Sequence, residues 1–276
     1  MSRSGRRFGD DRKFIDWRRI GDGSVKTWPG FERQWGLLRS VLMYHAIPFR
    51  RRRLTRFYAQ FIGSDDLCFD IGAHVGSRLR AWMPLGTRIV AVEPQPDCMA
   101  LLRRWFGQHS RITLIEQAVG AAPGVAELLI SPRTPTVTTL SPAWIEAVQQ
   151  ERGFAAVRWN ERIPVTVTTL DALIAHHGLP AFCKIDVEGY ELEVLKGLSQ
   201  PIPALSFEYL PACLDTAQHC IAHLASLGMY AFNWSVGEAQ CLRSADWLDA
   251  EAMYARLMTF TPAQGSGDIY ARLQQI

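Results

Sequence analysis

Apolar positions along the chain alternate between helical spacing and short continuous runs, and the changes between the two mark out the elements. From Phe31 to Phe61 the apolar residues Trp35, Leu38, Leu42, then Leu54, Phe57, Tyr58 and Phe61 recur at helical spacing, which predicts two helices divided at Pro48. A strand–helix alternation follows. Leu67–Ile71 reads as a short strand, Gly72–Gly76 as its turn, and Ser77–Met83 as a helix closed by Pro84 and Gly86. Arg88–Glu93 is a second strand, Pro96–Phe106 a helix and Ile112–Val119 a third strand, with Val125–Ser131 as an extra strand paired close to it. Residues 132–164 break the rhythm with prolines, threonines and the aromatics Trp144, Phe154 and Trp159. Val165–Thr168 resumes as a strand; Thr169 caps a helix Leu170–His177 that Gly178 ends. Ala181–Val187 and Ala204–Tyr209 are the fourth and fifth core strands, with a helix Glu191–Leu198 between them. Met229–Val236 and Asp268–Leu273 read as strands joined by an excursion that contains a helix Trp247–Met258.

Alternating βα units require right-handed crossovers and a parallel sheet with helices on both faces; the final strand pair suggests one antiparallel edge. The fold class is therefore α/β. One domain is expected over residues 61–276, with 132–164 as an insertion. Residues 1–60 form an N-terminal extension whose first 26 residues have few apolar anchors and are expected to be poorly ordered.

Composition bounds the function classes. No stretch of eighteen apolar residues exists, which excludes a spanning helix, and the N-terminal arginines precede no apolar segment of the secretory kind. The six cysteines form no C-x-x-C pair and Cys213–Cys220 lacks zinc spacing, so they are read as reduced, mostly buried and cytoplasmic. His176-His177 is read as complementing a helix C-terminus rather than binding metal. Charge is uneven: residues 1–60 hold 15 Lys and Arg against 5 Asp and Glu, a balance of +10 that leaves −7 for the remainder of a chain with net charge +3. Arg50-Arg51-Arg52-Arg53 is the densest point. It fits either an anionic partner (a membrane surface met peripherally, a phosphorylated substrate or nucleic acid) or a solvated arm followed by amphipathic helices; the second reading is the simpler expectation.

The turn after the first strand carries the first chemistry. Gly72-x-x-x-Gly76 lets the backbone fold tightly beside a ligand, and the following helix presents free N–H groups. A dinucleotide site would want G-x-G-x-x-G and a pyrophosphate at this helix. Here Asp70 ends the strand, where a carboxylate repels phosphate and suits a cation. S-adenosylmethionine, with an ammonium, a sulfonium and no phosphate, fits that turn. Glu93, 23 residues on, ends the second strand, where a carboxylate accepts hydrogen bonds from ribose hydroxyls. Gln117-Ala118 is placed to end the third strand at the adenine edge.

The fourth strand carries three charges, Lys184, Asp186 and Glu188, in a segment otherwise fit for a core, and the fifth ends in Glu208. Buried charge demands a partner, so a Lys184–Asp186 or Lys184–Glu208 pair is expected. Asp186, Glu188 or His74 could remove a proton from an alcohol acceptor; His74 reads equally as a packed turn residue. Carboxylates on adjacent strands leave Mg²⁺ open, but no metal site is predicted.

These motifs resemble the FkbM-type methyltransferases. The matching stretches are Phe69-Asp-Ile-Gly-Ala-His-Val-Gly76, Val90-Ala-Val-Glu-Pro94, Thr168-Thr-Leu-Asp171, Lys184-Ile-Asp-Val-Glu-Gly-Tyr-Glu191 with Val194-Leu-Lys-Gly197, and Ser206-Phe-Glu-Tyr209, followed by Gly267-Asp-Ile-Tyr270. The resemblance implies a class I, Rossmann-like methyltransferase fold with a seven-stranded sheet whose last strand is antiparallel. It also implies S-adenosylmethionine as donor and commonly a hydroxyl acceptor on a sugar, glycan or secondary metabolite. Asp70, Gly72, Ala73, His74, Gly76, Glu93, Pro94, Gln117, Ala118 and Asp186 become the expected cofactor residues. Lys184, Asp186, Glu188, Glu208 and His74 become the expected catalytic set. The family more often has Asn at position 74. The first 60 residues and the 132–164 insertion match none of its motifs and are expected to shape acceptor choice. Two rivals are an RNA 2′-O-methyltransferase and a non-catalytic module of the same fold. Lys184, Asp186 and Glu208 imitate part of the Lys-Asp-Lys-Glu set of the first, but no second lysine precedes Glu208, so nucleic acid is not the favoured partner.

Overall fold

A computed structural model describes residues 29–274 apart from 48, 152, 238 and 240. The expectations for residues 1–26 and for Pro48 itself lie outside the described residues. In chain order the elements are α1 (Pro29–His45), α2 (Arg50–Tyr58), β1 (Leu67–Ile71), α3 (Ser77–Trp82), β2 (Arg88–Val92), α4 (Pro96–Phe106), β3 (Ile112–Ile115), β4 (Ala118–Val119) and β5 (Gly124–Ile130). Then come α5 (Pro142–Val148), β6 (Glu161–Thr168), α6 (Leu170–His177), β7 (Phe182–Ile185), α7 (Glu191–Lys196), β8 (Ala204–Tyr209), α8 (Leu214–Leu227), β9 (Tyr230–Trp234), α9 (Ala250–Leu257) and β10 (Gly267–Leu273).

Seven strands form one sheet in the order β3-β2-β1-β7-β8-β10-β9. Pairing is parallel from β3 through β8, and β10 runs antiparallel to both β8 and β9. The antiparallel strand at the end of the chain thus sits one place in from the edge. Strand β1 is buried at all five positions, as a central parallel strand covered on both faces must be. One apolar layer, with Leu170, Leu195, Ile221 and Leu257, covers one face; another, with Leu54, Tyr58, Leu79, Trp82 and Leu102, covers the other. The strand order reverses between β1 and β7, which opens a crevice at their carboxyl ends.

Three expectations are corrected. The third core strand stops at Ile115; Ala118–Val119 belongs to a separate three-stranded sheet of order β4-β6-β5. The extra strand β5 pairs antiparallel with β6, from Gly124 opposite Val167 to Ile130 opposite Glu161, and not with β3. Helix α8 was not anticipated, although its buried Ala217, Cys220, Ile221 and Leu224 keep helical spacing. Among the described residues no helix is long and apolar enough to cross a membrane.

Helix α1 forms where its spacing predicts, but its apolar stripe faces outward: Trp35, Leu38 and Leu42 are 57, 48 and 55% exposed. The inward face is small and polar. Ser40 is buried, and Gly36 lies so close to Pro132 that a Cβ would stand 2.2 Å from its carbonyl oxygen. Arg33 pairs with Glu161 and Asp97, and Arg133 with Glu32. In α2 the orientation is ordinary, with Leu54, Phe57 and Tyr58 buried.

Candidate active site

The crevice holds a cleft walled by the segments that follow β1, β2 and β7. Its first wall is the turn after β1. Gly72 has φ 84°, and a Cβ there would fall 1.9 Å from the carbonyl oxygen of Asp186, so only glycine lets the ends of β1 and β7 approach this closely. His74 also has positive φ, at 48°. Its N–H donates to Glu93 Oε2 at 2.7 Å, and Gln95 N donates to Glu93 Oε1 at 2.9 Å. Two backbone donors thus fix the Glu93 carboxylate at the tip of β2, and each oxygen keeps capacity for a further hydrogen bond. Burial raises the Glu93 pKa to about 7 against the pull of those two hydrogen bonds. The imidazole of His74 lies edge-on to Tyr44 with centroids 5.5 Å apart, and its Nε2 is buried with no partner among the described residues. Burial, then His45, lowers its pKa to about 4, so it is neutral at pH 7.

Asp70 lies beneath this turn and is not part of the cleft wall. It is 1% exposed, Oδ2 has no partner among the described residues, and burial raises its pKa to about 7 against the attraction of Arg78 and Lys184. Pro94, Gln117 and Ala118 line the cleft, with Ala118 brought there by the second sheet rather than by the third core strand. Ala73 is buried within the turn, and Gly76 leads into α3.

The opposite wall is the loop after β7. Lys184 is fully buried and does not reach the cleft; Nζ donates to Asp268 Oδ1 at 2.8 Å and lies 3.2 Å from Asp186 Oδ2. The expected Lys184–Asp186 pair forms. The alternative partner is Asp268 of β10 rather than Glu208, because β10 presents Asp268 beside Glu208 in register. Burial works to lower the Lys184 pKa, but Asp186 and Asp268 hold it above its ordinary value. Tyr270 Oη donates to Asp268 Oδ2 at 3.2 Å and completes the buried chain.

In front of that chain, Asp186, Glu188 and Glu208 each offer an oxygen within 4.8 Å of the others. Such a grouping could hold a divalent cation or share protons. Burial, then the Asp186 and Glu191 charges, raises the Glu188 pKa well above its ordinary value; burial, Glu188 and Asp186 do the same for Glu208. Glu208 Oε2 has no hydrogen-bond partner among the described residues.

A family model described as the methyltransferase FkbM domain matches residues 70–210, from Asp70 in β1 past the end of β8 and over half the chain. The chain belongs to the FkbM methyltransferase family. No curated protein sequence matches it. Solved structures similar in fold include a TehB-like SAM-dependent methyltransferase from Corynebacterium glutamicum (8% identity, covering 90% of this chain and 100% of that one, TM-score 0.44). Another is an O-methyltransferase from Bacillus cereus in complex with SAH (11% identity, 91% and 94% covered, TM-score 0.42). A third is precorrin-6y C5,15-methyltransferase from Geobacter metallireducens (13% identity, 81% and 87% covered, TM-score 0.43).

Residues of the insertion complete the cleft, and Asp268, beyond the FkbM match, backs it through Lys184. Asp268 was missed because it stands 84 residues from Lys184. Thr136, Thr138 and Thr139 line the cleft from the insertion, and Thr139 Oγ1 donates to the Glu188 carbonyl at 2.7 Å. Glu191, quoted only as part of the FkbM motif, accepts from Gly189 N at 3.1 Å and Val187 N at 3.3 Å and so shapes the loop that carries Glu188. The signal was present there: a glutamate at the start of a helix, where free N–H groups attract a carboxylate.

Proposed function

We propose that this chain transfers the methyl group of S-adenosylmethionine to a hydroxyl of a sugar, glycan or secondary metabolite. The observation that carries the reading is the charge of the cleft wall. Glu93, Asp186 and Glu188 line it, and no Lys or Arg does among the described residues. That donor set offers a phosphorylated cofactor no cationic partner and suits one that carries an ammonium and a sulfonium, whose charge favours the ionised carboxylates. In this reading Glu93, at the end of β2, accepts from the ribose hydroxyls, and Gln117 and Ala118 meet the base.

When bound, the cofactor supplies an electrophilic methyl on sulfur; the C–S bond breaks as the C–O bond forms, leaving S-adenosylhomocysteine. The protein's part is to position the acceptor in line and to receive the hydroxyl proton. Glu188, whose proton affinity is raised by burial and by the Asp186 and Glu191 charges, and Glu208, raised by burial and by Glu188 and Asp186, are suited to take that proton. Asp186, tied to Lys184, fixes the acceptor hydroxyl. A divalent cation, where used, would be held by Asp186, Glu188 and Glu208.

Isothermal titration of the full chain with S-adenosylmethionine tests the donor half. Glu93→Ala is expected to weaken binding by about 1–3 kcal/mol, the cost of losing charge-assisted hydrogen bonds. Absence of binding at millimolar cofactor defeats the enzymatic reading. Methyl-labelled cofactor offered with a panel of sugars and small alcohols tests the acceptor half, with ether-linked label expected. In that assay Asp186→Asn should lower turnover far more than cofactor affinity; label found on nitrogen or RNA would replace the hydroxyl acceptor.

A further inference from the structure

Helix α1 is amphipathic in the reverse sense. Its polar and small residues Arg33, Gly36 and Ser40 meet the body of the protein, while Leu38 and Leu42, one turn apart, are 48 and 55% exposed. Isolated exposed leucines are ordinary, but this stripe continues past the end of the helix into Ile47 and Phe49, which are 44 and 70% exposed. Phe49 has positive φ, at 61°, and stands directly before α2.

The same edge carries concentrated charge. Arg51, Arg52 and Arg53 are exposed in the first turn of α2, with no acidic residue in that turn and no ion-pair partner among the described residues. A helix N-terminus is the positive end of its dipole, so three arginines there oppose folding rather than help it. The Arg52 guanidinium lies 6.0 Å from the centroid of the Phe49 ring, which joins the cationic group to the apolar one.

We propose that this surface docks on an anionic lipid bilayer. Leu38, Leu42, Ile47 and Phe49 enter the boundary between headgroups and acyl chains, and Arg51–Arg53 meet the anionic headgroups. Charge complementarity selects this occupant. A nucleic acid would satisfy the arginines and leave the leucines in water. A second copy paired about a two-fold axis would bring one arginine group towards the other. Residues 1–28 carry eight Lys and Arg against four Asp and Glu, the same sign as the arginines they would have to cover.

The surface adjoins the cleft. His45 Nε2 at the end of α1 donates to the Val75 carbonyl at 2.9 Å, and Tyr44 packs on His74 in the turn after β1. Docking therefore holds the mouth of the cleft close to the headgroups. The inference rests on surface geometry and stands whether or not the acceptor is a hydroxyl.

Co-sedimentation of the full chain with vesicles tests it, using phosphatidylcholine alone and a mixture with about one quarter phosphatidylglycerol. Binding to the mixture is expected to be at least about tenfold stronger and to fall as sodium chloride rises from about 0.1 to 0.5 M. Arg51→Gln/Arg52→Gln/Arg53→Gln should abolish the preference for anionic vesicles. Leu38→Ser/Leu42→Ser/Phe49→Ser should weaken binding at least about tenfold, with both variants keeping the parent's melting temperature. A parent chain that stays in the supernatant overturns the proposal. So does a serine variant that binds like the parent or melts well below it. A parent dimer that the serine variant converts to monomer would assign the surface to a second copy. Vesicle binding that appears only after removal of residues 1–28 would assign it to that segment.

Discussion

At position 74 the backbone adopts the left-handed conformation, φ 48°, so that the N–H points at the Glu93 carboxylate. Asn and His tolerate that region and β-branched residues do not, which gives a physical reason for the family's more frequent Asn at this position. Nε2 of the imidazole has no hydrogen-bond partner among the described residues and the ring stays neutral at pH 7, so what Asn shares with His here is the backbone conformation. His74→Asn should therefore keep cofactor affinity within about twofold. His74→Val should strain the turn by about 1–3 kcal/mol and lower both the melting temperature and the affinity, read by calorimetry. A valine variant that binds like the parent would show that the left-handed turn is not needed.

Between elements the telling contact is that of α5 with the loop after β7. Gly189 has φ 86°, and a Cβ on it would fall 2.1 Å from the Trp144 ring. Trp144 in turn packs edge-on against Phe154 and Trp159, so one glycine anchors the insertion to the loop after β7. Gly189→Ala should cost at least about 2 kcal/mol and open residues 132–160 to limited proteolysis; an unchanged melt and cleavage pattern would separate the insertion from the loop. None of this was legible in the sequence, where 132–164 showed only a broken rhythm. Two elements with local punctuation, α4 and α6, were legible to the residue, whereas the helix expected over Trp247–Met258 starts only at Ala250, behind the Asp249 cap. Pro96 opens α4 and Thr169 caps α6, with its hydroxyl accepting from Ala172 N at 3.1 Å. Helix α8 has no such marker, since Cys213 precedes it without a side-chain cap. The β5–β6 pairing and the Lys184–Asp268 bridge were hidden for another reason: their partners are distant in sequence, and spacing reports only neighbours. For the candidate site, the carboxylates could be named from strand ends, but their convergence depends on the order of strands in the sheet.

Across the whole molecule, buried acids set the dependence of stability on pH. Burial raises Asp70, Glu93 and Glu191 to about 7, and Glu188 and Glu208 well above their ordinary value. The unfolded chain releases those protons near pH 4, so between about pH 4 and 7 the folded chain binds more of them. Their contribution to stability therefore falls as pH rises through that window. His74, lowered to about 4, acts oppositely and only below about pH 6.5. The cofactor-free protein should lose melting temperature as pH rises from about 5 to 7. Glu208→Gln, which removes one of three adjacent charges, should raise it at pH 8 by about 2–4 °C, the response to roughly 1 kcal/mol. A melting temperature that climbs steadily to pH 8 would mean those charges are already neutralised by something else.

Strand β10 is the tenth to leave the ribosome, yet its place is between β8 and β9, which are both made before it. Until it arrives, β9 has no neighbour in the sheet and Lys184 lacks the closer of its two carboxylates. A nascent chain stalled before residue 267 therefore holds a buried ammonium with half its compensation and a gap in its main sheet. Closure of the main sheet thus waits for the segment 267–273, and chains interrupted before it should be sorted by chaperones and proteases as unfinished.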